Sequence, residues 1–285
     1  MVFKAAICPS CGGSLQVPDD RDSVKCMYCG TDIIVRQAIQ AGAGVNIHNL
    51  LDLAVTAANA ENFKEAYDYY SKVLEIDIKN TEAWFGKAKA AGWLSTISDS
   101  RFPEVKSGFQ NAITYAPEGD KKALMIQCAA TISQLSDAYY VLIKNYIVDN
   151  ASIQGVWENY LSQSKNVISL LEFGHGLNPD NKDIMYTIIQ ICKNNLEGVK
   201  YDYGVTYSNT YGETIHGTED KVLRVTESEK IFFTEKMNLF SNKLKLLEPG
   251  FKTPEIKRKY DTNEIFCICC IVVIVVIGIA YFFTK

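Results

Sequence analysis

Four cysteines near the N-terminus have the residue type and spacing of a metal site. They lie in two short motifs, CPSC at 8–11 and CMYC at 26–29, and each motif is followed by glycine. Each CxxC turn presents two sulfurs to one ion, and the following glycine can adopt positive φ. Four thiolates in a tetrahedral arrangement form the closed shell of a structural zinc site. We therefore predict one structural Zn²⁺ bound by Cys8, Cys11, Cys26 and Cys29.

Two alternatives to zinc are iron bound by the same four thiolates and a redox-active pair of cysteines. A redox dithiol would need a separate explanation for each pair. The protein fills all four positions of the predicted site, so no open position remains for a catalytic water. Residues 14–17 alternate like a strand, 18–20 read as a turn, and 23–25 and 32–35 read as further strands. With its twin CxxCG motifs, 1–37 resembles the zinc ribbon family.

The charge of the chain argues against nucleic acid as a partner. Net charge is −4, from 29 Lys and Arg against 33 Asp and Glu. Within 1–37 the charges balance, whereas binding to phosphates requires a basic excess. The charged residues of this segment are Lys4, Arg21, Lys25 and Arg36, against Asp19, Asp20, Asp22 and Asp32.

The stretch 265–283 reads IFCICCIVVIVVIGIAYFF and contains no charged residue. As a helix it would be about 28 Å long, close to the hydrocarbon thickness of a bilayer. A buried core helix is the alternative, but such a helix rarely lacks a polar stripe. The N-terminus has no signal-peptide pattern, and the segment 252–259 before the stretch is basic. By the positive-inside rule we predict a single-pass, tail-anchored membrane protein, with its N-terminal bulk cytoplasmic and its C-terminus across the membrane.

From residue 47 onward the pattern becomes that of paired helices. Within 62–93, two successive helical faces can be recognised; they consist of Ala66, Tyr70 and Val73, then Trp84, Ala88 and Ala91. The pattern resembles the tetratricopeptide repeat (TPR), whose period is 34 residues, and counting back 34 from Trp84 reaches Leu50. A second, longer repeat begins at Phe102. The resemblance implies an α-solenoid of helix hairpins, clear over 47–119 and faint over 120–200.

The predicted fold is therefore mainly α. Residues 38–46 contain AGAG at 41–44, which favours a flexible linker, and Asn46 could cap the next helix. Residues 201–223 interleave tyrosine and glycine with polar residues; they form either a long connection, or else a small β-hairpin or recognition loop. The segments are a zinc ribbon (1–37), a linker (38–46), TPR-like helical repeats (47–200), a Tyr/Gly-rich loop or hairpin (201–223), a helix (224–247), a basic tether (248–264) and a transmembrane helix (265–283).

The sequence shows no motif of a common catalytic site. It contains no GxSxG elbow, no phosphate-binding glycine loop with lysine and no HExxH. The three histidines are widely separated: His48 is predicted to be a surface or packing residue, His175 lies near a helix end, and His216 lies in the Tyr/Gly-rich segment. We predict that the protein is not an enzyme.

The other five cysteines have no metal-site spacing. Cys128 and Cys192 fall in helical patterns and are predicted to be small buried hydrophobic residues. Cys267, Cys269 and Cys270 begin the predicted span, where they are either ordinary apolar residues or sites of acylation.

Stacked helix pairs form a concave groove that suits peptides or protein helices. The TPR resemblance places six residues along this groove: His48, Leu51, Val55, Glu82, Phe85 and Lys89. Some TPR proteins clamp a chaperone's terminal carboxylate with basic and asparagine side chains, and these six do not match that set. We predict a membrane-tethered cytoplasmic adaptor or scaffold that binds a protein or peptide of unknown identity. The alternative is a nucleic-acid-linked regulator that uses the ribbon.

Overall fold

The computed structural model describes residues 2–208 and 210–283, and for 43–46 and 277–283 it describes the backbone without the side chains. The chain divides into two compact units, one ending at Cys128 and the other beginning at Ala129. The first unit contains β1 (Phe3–Ile7), β2 (Ser14–Pro18), β3 (Ser23–Lys25), β4 (Asp32–Ile34), α1 (Val35–Asn59), α2 (Phe63–Ile76), α3 (Thr81–Trp93) and α4 (Phe102–Tyr115). Helix α5 (Lys121–Asn150) contains the boundary, and the second unit continues with α6 (Val156–Leu177), α7 (Lys182–Glu197), β5 (Val199–Ser208), β6 (Thr214–Leu223), α8 (Glu227–Leu247) and α9 (Thr262–Phe283).

Two antiparallel hairpins form the N-terminal ribbon. Strand β1 pairs with β2, with Ala5 opposite Gln16, and β3 pairs with β4, with Val24 opposite Ile33. The sequence indicated β2, β3 and β4, but β1 was not predicted. A small core lies between the hairpins and the start of α1; it consists of Ala6, Cys8, Leu15, Val17, Cys26, Ile33, Val35 and Ala38.

The predicted linker at 38–46 is wrong, because this segment is helical. Helix α1 continues without a break from Val35 to Asn59, and its N-cap residue is Ile34. The first long helix thus begins before the predicted start at 47. Asn46 was predicted to cap that helix, but its side chain is not among those that the structure describes.

Packing against the ribbon explains why this glycine-containing segment is helical. Val35 and Ala38 are buried in the ribbon core. Gly42 lies so close to β1 that an added Cβ would be 2.8 Å from the Cα of Ala6. Glycine costs a helix roughly 1 kcal/mol relative to alanine, and here the close approach to β1 offsets that cost.

Helices α2 and α3 form a helix hairpin where the TPR resemblance implied one. Each begins with an asparagine cap: the side chain of Asn62 accepts a hydrogen bond from the N–H of Glu65, and that of Asn80 accepts one from the N–H of Ala83. The predicted inward residues of this hairpin are buried except for Trp84, which is half-buried. The buried residues are Ala66, Tyr70, Val73, Ala88 and Ala91.

Glycines set the distances between helices in this region. An added Cβ on Gly86 would lie 2.1 Å from Cζ of Tyr70, because the Tyr70 ring packs directly on α3. An added Cβ on Gly108 would lie 2.7 Å from Cβ of Ala88, which brings α4 close to α3. Small residues at these positions are therefore required by the packing.

In the second unit, α8 packs one apolar stripe into the core. Thr226 and Glu229 form a reciprocal capping box at its first turn, so the helix begins at Glu227, slightly later than predicted. Two ion pairs join α8 to α6: Lys165 with Glu229, and Lys236 with Glu172. Leu247 at the end of α8, which also has the spacing of this stripe, is 38% exposed. The buried members are Phe233, Met237, Phe240 and Leu244.

Residues 201–223 lie in a long antiparallel β-hairpin, which was one of the two interpretations of this segment. The register runs from Val199 opposite Leu223 to Ser208 opposite Thr214. Tyrosines recur at alternate positions in β5, which gives the segment a period of two. Asn209, which follows β5 in the sequence, lies outside the described residues.

The predicted tether at 248–264 lies along the second unit. The Nζ of Lys259 donates to the carbonyl oxygen of Gly198 at 2.8 Å, and Arg224 donates to the carbonyl oxygen of Lys259 at 2.9 Å. The last residues of the predicted tether already belong to α9, which begins at Thr262.

Helix α9 includes the backbone of the predicted span at 265–283. Every residue from 265 to 276 is exposed. Within the described part of the chain, no helix is long and apolar enough to cross a membrane. The side chains of 277–283, the last part of the predicted span, lie outside that part. The transmembrane helix is therefore not confirmed.

Replacing Gly86 with alanine should destabilise the first unit. The new methyl group would overlap the Tyr70 ring, so the ring or α3 must move. Overpacking of this kind costs about 1–3 kcal/mol. We expect the free energy of unfolding, measured by urea denaturation and circular dichroism, to fall by that amount.

The control for this prediction is Gly176→Ala in α6. A Cβ at Gly176 meets nothing within 4 Å, so the helix propensity of alanine should leave stability unchanged or slightly higher. Equal loss of stability in the two variants would contradict the packing argument.

Candidate functional sites: a four-cysteine cluster and a groove

The structure brings the four N-terminal cysteines together. Their sulfurs all lie within 4.8 Å of one another. Cys8 Sγ is 3.8 Å from Cys29 Sγ, and Cys11 Sγ is 3.7 Å from Cys26 Sγ. Four sulfurs at roughly 2.3 Å from a tetrahedral ion would be about 3.8 Å apart. The cluster therefore has the donor type, the number of ligands and the spacing for one tetrahedral metal ion.

The two CxxCG turns have the same backbone geometry. Gly12 and Gly30 have φ of +72° and +74°, a region that favours glycine. The N–H of Gly12 donates to the carbonyl oxygen of Cys8, and the N–H of Gly30 donates to that of Cys26, both at 2.9 Å. The positive φ expected after each motif is thus observed. These two N–H groups close the turns through carbonyl oxygens, and the N–H of Tyr28 lies 3.4 Å from the sulfur of Cys26.

The thiols of the cluster differ in pKa. Hydrogen bonds from the side chain and backbone of Thr31 lower the pKa of Cys29 to about 6. The N–H of Gly13 lowers the pKa of Cys11, but the neighbouring sulfur of Cys29 and burial outweigh it and raise that pKa to about 12. Without a metal, the Cys29 thiol therefore ionises at a lower pH than the Cys11 thiol. Binding of a cation would displace the remaining protons.

The ribbon that holds this cluster has only a small apolar core. Cys8 and Cys26 are buried, and Cys11 and Cys29 are exposed. The ring of Tyr28 packs on Gly13, where an added Cβ would lie 2.6 Å from Tyr28 Cδ2. A unit of this size rarely holds together by apolar burial alone, so a bound ion would stabilise the fold.

A groove of about 620 Å³ lies within the first unit, between α1, α2, α3 and the start of α5. Its lining is mainly apolar, with Glu82, Lys89 and Asp120 as its charged members. The Phe85 ring lies against Phe109, with ring centroids 5.3 Å apart. Apolar residues that line the groove include Val55, Phe63, Tyr70, Phe85, Pro117 and Leu124.

Four of the six predicted groove residues line this cavity: Val55, Glu82, Phe85 and Lys89. The other two do not. Leu51 packs against the core of α1, α2 and α3, and His48 lies on the surface with its Nε2 3.5 Å from Asp52.

The sequence did not indicate several other groove residues. Phe63 begins α2, and Pro117 and Leu124 come from the turn before α5 and from α5 itself. The TPR resemblance assigned groove residues on α1 and α3 only. A signal for Leu124 was nevertheless present, since the first helix of a following repeat would complete the same groove.

The remaining histidines belong to the second unit, and neither is a member of the cluster or of the groove lining. Lys243 Nζ lies 2.8 Å from His175 Nε2, and burial lowers the pKa of His175, with Lys243 adding to that effect. His216 Nδ1 is 3.2 Å from Thr206 Oγ1 on the hairpin. Among the described residues, the four cysteines are the one group of three or more His, Cys, Asp or Glu side chains that could hold a metal.

The other five cysteines lie in helices outside the cluster. Cys128 and Cys192 are buried in helices, and burial raises the pKa of each thiol to about 12. Cys267, Cys269 and Cys270 are exposed on α9.

Comparison with known proteins finds a likeness among solved structures. No protein-family model matches the chain, and no curated protein matches it. Among solved structures, it is similar to YrrB, a TPR protein described as having an unusual peptide-binding site. The match has 13% sequence identity and a TM-score of 0.25, and it covers 70% of this chain and 86% of the YrrB chain.

The cysteine cluster should hold one metal ion per chain. A variant with Cys8→Ser and Cys26→Ser loses one thiolate from each CxxC turn, so metal content measured by mass spectrometry should fall to near zero. Cobalt(II) added to the metal-free native chain should give the thiolate charge-transfer absorption of a four-sulfur site.

The matched control is Cys267→Ser with Cys269→Ser, which removes two cysteines outside the cluster. These are exposed on α9, and their loss should leave the metal content unchanged. Full metal content in the Cys8/Cys26 variant would show that the cluster is not the binding site.

Proposed function

We propose that this protein is a non-catalytic adaptor. It holds a structural Zn²⁺ in its ribbon, binds a peptide or protein segment in its groove and is anchored to a membrane by the apolar segment of α9. The observation that carries the proposal is the groove, because predicted inward residues from different helices line one open, mainly apolar cavity.

Zinc is the ion that we assign to the cysteine cluster. Four thiolates select zinc or iron among the common protein metals, and a closed four-ligand site is typical of structural zinc. Its role is to stabilise the ribbon, since all four coordination positions are filled by the protein.

The size and composition of the groove support a peptide ligand. Small-molecule and peptide pockets are typically about 300–1,000 Å³, and they are mostly apolar with a few polar groups that fix orientation. The groove has that character: aromatic and aliphatic side chains form most of its lining, and Glu82 and Lys89 lie seven residues apart on the same helix. A bound segment would place apolar side chains on Val55 and Phe85 and polar groups towards these charges.

Membrane anchoring is supported by composition and by exposure. The stretch 265–283 has no charged residue, and its described side chains are open to solvent, with Phe266 70% exposed. Leaving apolar surface in water costs about 25 cal/mol per Å², and large exposed apolar patches mark interaction or membrane sites. The basic segment at 252–259 orients the chain, so that the residues before α9 lie on the cytoplasmic side.

Replacing Val55 with arginine should weaken binding in the groove. The substitution puts a long, charged side chain into the cavity between α1 and α3. Peptides selected from a displayed library on the native chain should bind the Val55→Arg variant at least about tenfold more weakly, a loss of about 1.4 kcal/mol, as measured by fluorescence anisotropy.

Leu53→Arg is the matched control. Leu53 is 47% exposed on the same helix and lies outside the groove lining. This variant should bind the selected peptides as the native chain does. If both variants or neither lose affinity, the groove is not the binding site.

Replacing Val272 and Val275 together with arginine should release the chain from membranes. Each arginine near the centre of a membrane helix costs about 2.5–3.5 kcal/mol on insertion. We expect the native chain in the membrane pellet after carbonate extraction, and the double variant in the soluble fraction.

Ile256→Arg, in the tether before α9, serves as the control for this substitution. It adds one arginine, half the charge of the double variant, outside 265–283 and should remain in the pellet. Recovery of the native chain in the soluble fraction would refute the proposed anchoring.

A further inference from the structure

The outer half of the β5–β6 hairpin has two unlike faces. Residues that lie opposite each other in antiparallel strands point to the same face, and successive residues point to opposite faces. The register places Tyr203, Val205, Tyr207, Ile215, Gly217 and Glu219 on one face, which we call the aromatic face. The same register places Gly204, Thr206, Ser208, Thr214, His216 and Thr218 on the other, which we call the polar face.

The aromatic face is open to solvent within the described part of the chain. Tyr203 is 45% exposed, Tyr207 54% and Ile215 37%. The Tyr207 ring lies over Gly217, where an added Cβ would be 3.4 Å from Tyr207 Cε1. The one acid on this face, Glu219, lies 3.3 Å from Lys221. Aromatic and aliphatic groups on this face are therefore left uncovered by the residues that the structure describes.

The base of the hairpin is joined to the first turn of α9. The N–H of Asp220 donates to Thr262 Oγ1 at 2.9 Å. Arg224, just after β6, forms an ion pair with Glu264. The base of the hairpin therefore lies where the apolar stretch at 265–283 begins. If that stretch enters a bilayer, the hairpin base lies at the level of the lipid headgroups.

The segment that leads into α9 carries an excess of positive charge. Between 250 and 261 there are four basic residues and two acidic ones, Glu255 and Asp261. Lys259 is held at the base of the hairpin by its bond to the carbonyl oxygen of Gly198. A basic segment close to a membrane is attracted to anionic phospholipids by about 1 kcal/mol per lysine or arginine.

We propose that the hairpin lies on the surface of an anionic phospholipid bilayer, with its aromatic face in the interfacial layer and its polar face towards water. Tyrosine suits this layer because its ring is apolar and its hydroxyl can remain hydrated. Strands of this length extend about 33 Å, much farther than the width of one helix, about 10–12 Å. Contact along that length would fix the orientation of the second unit relative to the membrane. The inference rests on the proposed anchoring by α9.

The test uses the full chain reconstituted in vesicles of phosphatidylcholine and phosphatidylglycerol. Two variants introduce tryptophan at adjacent positions: Tyr207→Trp on the aromatic face and Thr206→Trp on the polar face. A lipid with a nitroxide at its headgroup quenches the fluorescence of nearby tryptophans. The quenching in each variant is compared with that of the unsubstituted chain, whose own tryptophans are Trp84, Trp93 and Trp157. We expect loss of the added fluorescence in Tyr207→Trp and no such loss in Thr206→Trp.

Equal quenching in the two variants, or none in either, while the chain floats with the vesicles overturns the inference and leaves the anchoring intact. A chain that does not float with the vesicles overturns both. A second measurement uses the unsubstituted chain and iodination by lactoperoxidase, an enzyme confined to the aqueous phase. Vesicles should protect Tyr203 and Tyr207 but not Tyr146, which is exposed on α5. Unchanged iodination of Tyr203 and Tyr207 would mean that this face is free, for example for a protein partner, and would overturn the inference.

Discussion

Close approach of helices at small residues determines the shape of the first unit. The Tyr70 ring lies on Gly86, and α4 meets α3 where Gly108 faces Ala88. Dispersion attraction falls steeply with separation, so larger residues here would lose contacts along the whole crossing. The groove depends on this constraint, because Tyr70 lines the cavity from α2 while it packs on α3. A shift between these helices would change the floor of the groove.

Features that depend on local spacing could be predicted from the sequence. The two CxxCG motifs determine which sulfurs can share an ion, since each turn is only a few residues long, and the structure brings all four sulfurs together. The buried faces of α2 and α8 follow from a period near 3.6 residues. Val55, Glu82, Phe85 and Lys89 could be assigned to one groove because a repeat places equivalent side chains on the same side of successive helices.

Features that depend on distant partners could not be predicted. The glycines at 42 and 44 indicate flexibility when they are considered alone, and only the packing of Gly42 on β1 explains a helix there. The hairpin at 199–223 was ambiguous because tyrosine and glycine alternate with polar residues both in strands and in long connections. Leu124 lines the groove from α5, in the stretch 120–200 where the repeat pattern is faint, so it could be found only by extending the repeat beyond 119.

The continuous helix α1 determines what the metal can influence. Val35 lies in the ribbon core and Val55 lines the groove, and at 1.5 Å per residue they are about 30 Å apart along the helix. The second half of α1 has its own support, because Ala54 and Ala57 are buried against α2 and α3. Loss of the ion would therefore remove the packing at the start of α1 and leave the groove helices in place. A metal in the ribbon would set the direction of the ribbon relative to the groove, while the groove itself depends on contacts among the helices.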